Sequence, residues 1–178
     1  MERKRELMRL YDETSDFYDS RYMEIQRRKH EVVIEHLPSD LTSVLDVGCG
    51  SGLLLQRLSE RAKVVVGVDF SWKMLEVARR RADGARLVLA DAEALPFKGG
   101  AFDAVVSTTL LQNVPSPERA SGECVRVLKS GGILVLTTLK RKHSPEGVRR
   151  MAESSGVSTV SYGEIPESED VFCIAKKL

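Results

Sequence analysis

The sequence predicts an α/β domain built on a mostly parallel sheet with helices on both faces, and three observations carry that prediction. From about Ser43 onward, short β-branched apolar runs alternate with longer amphipathic segments, the pattern of repeated strand–helix units. The first apolar run ends in a glycine-rich turn, Gly48-Cys49-Gly50-Ser51-Gly52, able to connect a strand to a helix at close quarters. With 178 residues, 42% of them hydrophobic, the chain has the material for one domain around one core and no room for a separate substrate domain.

The elements follow in order. Residues 1–40 read as a polar arm carrying Tyr11, Phe17, Tyr18 and Tyr22, with a helix from about Tyr22 to His36 that leads into Leu37-Pro38. Strands are expected at Ser43–Val47, Lys63–Val68, Arg86–Ala90, Phe102–Thr108 and Gly132–Thr138, with a helix beginning near Leu53. Ser71 is placed to cap a helix whose Met74, Leu75, Val77 and Ala78 form an apolar stripe; Arg79, Arg80 and Arg81 complement the dipole at its end. Ser116-Pro117 reads as a cap followed by a first-turn proline, and Gly131-Gly132 as the stop of that helix. After Thr138 come a basic stretch, Lys140-Arg141-Lys142-His143, a helix to about Ser154, and two strands, Val157–Tyr162 and Val171–Lys176. The short acidic turn between them, Gly163 to Asp170, predicts antiparallel pairing.

Composition excludes several classes. Lys and Arg total 27 against 26 Asp and Glu, so the chain does not bind nucleic acid through bulk charge, although local basic patches remain open. Cys49, Cys124 and Cys173 are too dispersed for a zinc site or a disulfide framework, which predicts no metal and fits a reducing, cytoplasmic compartment. The charged N-terminus leads into no apolar signal core, and no apolar run approaches the ~20 residues that span a bilayer, so no membrane association is expected.

A glycine turn after a strand is by itself weak evidence for a ligand, because such turns need glycine on steric grounds alone. Two acids sharpen it. Asp46 lies inside the apolar strand, where a carboxylate is costly to bury without a partner. Asp69 ends the second strand about 20 residues past the turn, where a ribose diol can be hydrogen-bonded. The dinucleotide version of the turn, G-x-G-x-x-G, needs a third glycine where this chain has Leu53. An NAD-dependent oxidoreductase is therefore the runner-up, and its pyrophosphate beside Asp46 would be unfavourable. A cationic ligand makes sense of that carboxylate.

Taken together, these segments resemble the class I S-adenosylmethionine-dependent methyltransferases. Leu45-Asp46-Val47-Gly48-Cys49-Gly50-Ser51-Gly52 resembles the first family motif, and Val66-Gly67-Val68-Asp69-Phe70-Ser71 with Met74, Leu75 and Ala78 the second. Ala90-Asp91-Ala92-Glu93-Ala94-Leu95-Pro96-Phe97 resembles the third, Phe102-Asp103-Ala104-Val105-Val106 the fourth, and Leu128-Lys129-Ser130-Gly131-Gly132 the fifth. The resemblance implies a Rossmann-like sheet of seven strands with an antiparallel last strand, with residues 1–40 as a lid, 43–138 as the cofactor core and 139–178 as a C-terminal helix and strand pair.

It also implies roles for individual residues. Gly48, Cys49, Gly50 and Gly52 would border the methionine and ribose parts of S-adenosylmethionine, Asp46 would answer its ammonium and Asp69 its ribose hydroxyls. Phe70 and Met74 would line the adenine, Asp91 with the Ala92 amide would read its amino edge, and Thr108 to Leu111 would flank the sulfonium. The alternative reading of Met74 is core packing, and that of Asp91 a helix cap.

The sequence identifies no catalytic base. Ser107-Thr108-Thr109-Leu110-Leu111-Gln112-Asn113 lacks the Asn/Asp-Pro-Pro-Tyr-like motif of enzymes that methylate adenine N6 or glutamine amides, so that chemistry is disfavoured. Gln112 and Asn113 are read either as substrate contacts or as caps of a turn, and His30, His36 and His143 as surface residues. The arm, through Tyr11, Tyr18, Tyr22 and Gln26, resembles the lid of ubiquinone/menaquinone methyltransferases and more weakly that of ribosomal RNA guanine-N7 methyltransferases. Stacking tyrosines would suit a quinone-like ring or an RNA base. Arg27-Arg28-Lys29 and Lys140–Lys142 with Arg149-Arg150 are solvated faces or a phosphate rim. The acceptor thus stays open between a small molecule and an RNA base. By resemblance, the third strand forms a sheet edge on which a small zinc-binding activator protein could dock.

Overall fold

The computed structural model describes residues 26–178, so Tyr11, Tyr18 and Tyr22 lie outside the described residues. Seven strands form one sheet: β1 (Leu41–Val47), β2 (Ala62–Asp69), β3 (Arg86–Leu89), β4 (Phe102–Thr108), β5 (Leu128–Leu139), β6 (Val157–Glu164) and β7 (Asp170–Lys177). Their spatial order is β3-β2-β1-β4-β5-β7-β6. The first five run parallel, and β7 pairs antiparallel with both β5 and β6. This is the Rossmann-like sheet that the sequence implies.

Helices cover both faces because strand side chains alternate between them. On one face, Val44 of β1, Val65 of β2 and Val106 of β4 pack under α1 (described over 26–36), α2 (Leu53–Leu58) and α3 (Trp72–Arg81). On the other, Leu45, Val66 and Val105 pack under α4 (Pro117–Val127) and α5 (Pro145–Glu153). The capping residues act as their sequence positions predict. The Ser71 hydroxyl accepts from the Met74 amide, Ser116 from Arg119 and Ser144 from Gly147.

From β1 the chain winds outward to β3, then returns to β4 on the other side of β1. The sheet therefore opens a crevice where β1 and β4 diverge at their C-terminal ends, the place where ligands bind in such sheets. The Ser107 hydroxyl fastens the two strands there by donating to the Val47 carbonyl at 3.0 Å.

One boundary differs from expectation. Gly131-Gly132 do not stop α4; the helix ends at Val127 and β5 begins at once with Leu128. The glycines lie inside β5, where the pairing with β4 jumps from Phe102↔Leu128 to Ala104↔Ile133. A Cβ on Gly132 would stand 2.8 Å from the Asp103 carbonyl oxygen, so strand contact rather than helix termination requires that glycine. The end of α4 is instead capped from β7, whose Lys177 Nζ donates to the carbonyls of Val125 at 2.7 Å and Leu128 at 2.8 Å.

Candidate cofactor-binding site

The glycine turn is fixed from two sides. The amides of Gly48 and Cys49 donate to the Val68 carbonyl at 2.8 and 2.9 Å, hanging the turn on the end of β2. Gly48, Gly50 and Gly52 have φ of +80°, +52° and +82°, conformations that a side chain disfavours. Gly52 is also confined by α3, since a Cβ there would lie 2.9 Å from the Ala78 Cβ and 3.0 Å from its Cα. At the end of α3, Arg81 donates to the Ser51 carbonyl and hydroxyl, both at 3.1 Å.

Asp69 stands at the tip of β2 and is nearly buried. Its two oxygens accept from the backbone amides of Gly50 and Ser71, each at 2.9 Å. These two bonds fix the carboxylate at the mouth of the crevice, beside the glycine turn.

Two adjoining cavities open here, with Gly48, Gly50 and Thr108 common to both. The first is walled by Asp69, Phe70, Met74, Thr109 and Asn113. Met74 is therefore both core and cavity wall: it lies in the first turn of α3 and is 1% exposed. The second is walled by Gln26 and His30 of α1, Asp46 of β1, and Cys49, Ser51 and Leu53 of the turn.

Asp46 is the unusual group in that second cavity. It is 1% exposed, and its Oδ1 is one of two buried side-chain atoms among the described residues that lack a hydrogen-bond partner. Burial, reinforced by the Asp69 charge, pushes its carboxyl up to about 8. A cationic ligand would supply the missing partner and favour the ionised form. The same burial pushes the Cys49 thiol well above its ordinary range, so Cys49 contributes packing rather than a nucleophile.

His30 corrects the sequence reading. It is buried rather than superficial, and burial followed by the nearby charges of Arg57 and Lys29 lowers its ring to about 4. The cavity therefore has a neutral imidazole on one wall and a buried carboxyl with an unpartnered oxygen on another, a lining suited to a ligand that carries a cationic group. The signal was present in α1. Gln26, Lys29 and His30 continue the buried stripe of Val33, Ile34 and Leu37 at helical spacing, so polar side chains occupy positions on a core face. His36 is exposed as expected, while His143 is half-buried with its Nδ1 3.1 Å from the Thr138 hydroxyl.

Asp91 and Ala92 follow β3 and line neither of these cavities. Asp91 is no α-helix cap: its side chain accepts from Glu93 and its carbonyl from Ala94, both at 3.0 Å, closing a turn. That turn is held by α4. Glu123 accepts from the Leu95 amide at 2.7 Å, while Arg126 donates to the carbonyls of Phe97 at 2.7 Å and Leu95 at 2.9 Å. Gln112 is drawn into the scaffold, donating to the Thr109 carbonyl and accepting from the Thr138 hydroxyl at 2.9 Å. The basic segments are likewise engaged: Arg28 with Glu167, Lys29 with Asp170, and Arg149 with Glu146 and Glu153. Among the described residues no cluster of His, Cys, Asp and Glu could hold a metal ion, and no helix is long and apolar enough to cross a membrane.

The demethylmenaquinone methyltransferase of Thermus thermophilus is 43% identical over 117 residues, covering 62% of this chain and 52% of that protein. A malonyl-[acyl-carrier protein] O-methyltransferase of a Marinomonas species is 38% identical over 149 residues, covering 80% of this chain and 55% of its own. The chain thus spans about half the length of the curated relatives it matches. Among solved structures, the fold is similar to a chain from the complex between the Haloferax volcanii Trm112 methyltransferase activator and a methyltransferase, with TM-score 0.80, 18% identity and coverage of 93% and 96%. It is also similar to a SAM-dependent methyltransferase from Thermotoga maritima, with TM-score 0.78, 23% identity and coverage of 96% and 99%. The methyltransferase domain family matches residues 45–136, from the middle of β1 to the middle of β5, and the chain belongs to that family in its class I, S-adenosylmethionine-dependent form.

Proposed function

We propose that the chain transfers a methyl group from S-adenosylmethionine to a small-molecule acceptor. The observation that carries the cofactor reading is the buried, unpartnered Asp46 oxygen in a cavity bordered by the glycine turn. In this reading Asp46 takes the ammonium of the cofactor, with Gln26 and His30 facing its carboxylate. Asp69 accepts from the ribose, Phe70 and Met74 flank the adenine, and Asp91 with the Ala92 amide reads its amino edge. The bound cofactor supplies a methyl group made electrophilic by the sulfonium. The work left to the protein is alignment and exclusion of water, and alignment alone can supply several kcal/mol, about 7–11 at best. Thr108, at the junction of the two cavities, marks the place for that alignment. An NAD-dependent oxidoreductase fits less well, because Asp46 would then face no cation.

Two observations support a small acceptor. Relatives matched in sequence include methyltransferases named for demethylmenaquinone and for ubiquinone biosynthesis. Several basic residues that could have formed a phosphate rim are paired to carboxylates of the same chain. A second reading, an RNA base methyltransferase working with a small activator protein, is favoured by the sheet edge. β3 is the terminal strand of the sheet, and its Leu89 is 53% exposed, leaving a strand on which another chain could pair. The structural likeness to the Trm112-complex chain points the same way.

Calorimetry with S-adenosylmethionine, S-adenosylhomocysteine and NAD tests the cofactor. Binding of the first two without NAD is expected; the reverse overturns the proposal. Tritiated-methyl transfer over fractionated RNA, protein and metabolites then reads the acceptor. Label appearing in RNA, and only after co-expression with an activator, would replace the first reading by the second.

A further inference from the structure

A buried triangle of polar groups from three elements stands behind Thr109 of the first cavity wall. Lys29 of α1 is 3% exposed and Asp170, the first residue of β7, is 0% exposed; Lys29 Nζ lies 2.9 Å from the Asp170 Oδ2. Lys29 Nζ also donates to the Thr109 hydroxyl at 2.8 Å, and that hydroxyl donates to the Asp170 Oδ1 at 3.3 Å. A buried ion pair is weak evidence for stability, because an apolar replacement is often as stable. Its geometry therefore invites a functional account.

Thr109 provides one. It is a β-branched residue with φ of 54°, a strained conformation that persists only where its surroundings enforce it. They do so through each of its polar groups. Its amide donates to the Thr137 carbonyl at 2.9 Å, its carbonyl accepts from Gln112 and Asn113, and its hydroxyl belongs to the triangle. The strain sits at the ligand site: Thr109 and Leu110 wall the first cavity, and the Leu110 Cδ1 lies 3.0 Å from where a Cβ on Gly48 would stand. On the other side, Lys29 shares one helical face with Gln26 and His30, which wall the second cavity.

We infer that Lys29 is a positioning residue, which with Asp170 and the Thr109 hydroxyl locks α1 to the segment after β4 and so holds the two cavity walls in one binding-competent arrangement. Losing the lock lets Thr109 relax and Leu110 shift over Gly48, while Gln26 and His30 lose their fixed distance from Asp46. The inference rests on the proposed cofactor reading for its ligand, but its geometric content does not.

The test uses the full chain as K29M/D170N, which removes both charges and leaves neither buried alone, and the pair T109G and T109S. T109G keeps the left-handed backbone without the hydroxyl, whereas T109S keeps the hydroxyl. Two quantities are read: S-adenosylhomocysteine affinity by calorimetry, and amide hydrogen exchange of the ligand-free protein. The expected result is affinity at least tenfold weaker in K29M/D170N and T109G, with T109S recovering most of it. Exchange should be at least tenfold faster over residues 108–113 while β1, β4 and β5 remain protected as in the parent. Parent-like affinity and exchange in T109G would overturn the inference, as would exchange in K29M/D170N accelerated uniformly over the sheet. If the parent itself fails to bind S-adenosylhomocysteine, the cofactor reading falls, and the exchange pattern still decides the positioning role.

Discussion

Replacing Asp46 by Asn should make the ligand-free protein more stable while impairing its ligand binding. In the unfolded chain Asp46 titrates near 3.8, whereas in the fold its pKa stands at about 8. A carboxyl with a raised folded pKa favours the fold fully only below the unfolded value, and that contribution is lost as pH rises between about 4 and about 8. At pH 7 the folded carboxyl is still mostly protonated while the unfolded one is ionised, so the loss approaches 3.2 pH units at about 1.4 kcal/mol each, or roughly 4 kcal/mol. The Asn amide does not ionise, but its extra N–H costs about 1 kcal/mol if unpaired. The net gain is then about 3 kcal/mol at pH 7, and it reverses to a small loss, roughly 0.5 kcal/mol, at pH 4. Urea unfolding of both proteins at intervals from pH 4 to 8 measures it. Because His30 contributes equally to both, the difference isolates Asp46. Calorimetry at pH 7.5 should show S-adenosylhomocysteine bound at least tenfold more weakly by D46N. Stabilities that run parallel over the whole pH range would refute the assignment of a buried, neutral Asp46.

The remaining predictions concern neighbouring groups. Burial lowers His30 to about 4, so the parent loses stability as pH falls from 6.5 through 4, and H30Q should recover up to about 3 kcal/mol near pH 4 in the same urea series. Asp69→Asn places an amide N–H against the Gly50 or the Ser71 amide whichever way it turns, and should weaken S-adenosylhomocysteine binding by about 1–3 kcal/mol; unchanged affinity would contradict the ribose role. Gly52→Ala meets a positive φ and the Ala78 backbone together, for a loss of about 2–4 kcal/mol in urea unfolding. Burial raises the Cys124 and Cys173 thiols to about 12 and about 11, so alkylation at pH 8 should label none of the three cysteines before unfolding and all three afterwards.

Period-two and period-3.6 patterns were sufficient to locate the strands and the capped helices, because each buries a regular face against a single sheet. The carboxylates that line the candidate site were legible for a related reason: Asp46 breaks an apolar run, and Asp69 ends one. What escaped was anything set by distance across the fold. Lys29 and Asp170 are 141 positions apart in sequence, and although helical spacing puts Lys29 on the core face of α1, nothing local marks Asp170 as its partner. His30 looks superficial among charged neighbours until the helix is rotated onto the sheet. Gly131-Gly132 follow α4 closely enough to imitate its stop signal, and only the pairing with β4 shows that they serve a strand.

The capping of α4 by Lys177 places the last strand in mechanical series with the turn that follows β3. Lys177 grips the end of α4 at Val125 and Leu128, and in the same turn Glu123 and Arg126 of that helix hold the backbone of Leu95 and Phe97. A load applied to β7 is therefore transmitted through a single rigid helix to the turn that contains Asp91. Neutralising Lys177 is expected to loosen the turn that contains Asp91 from the opposite half of the sheet.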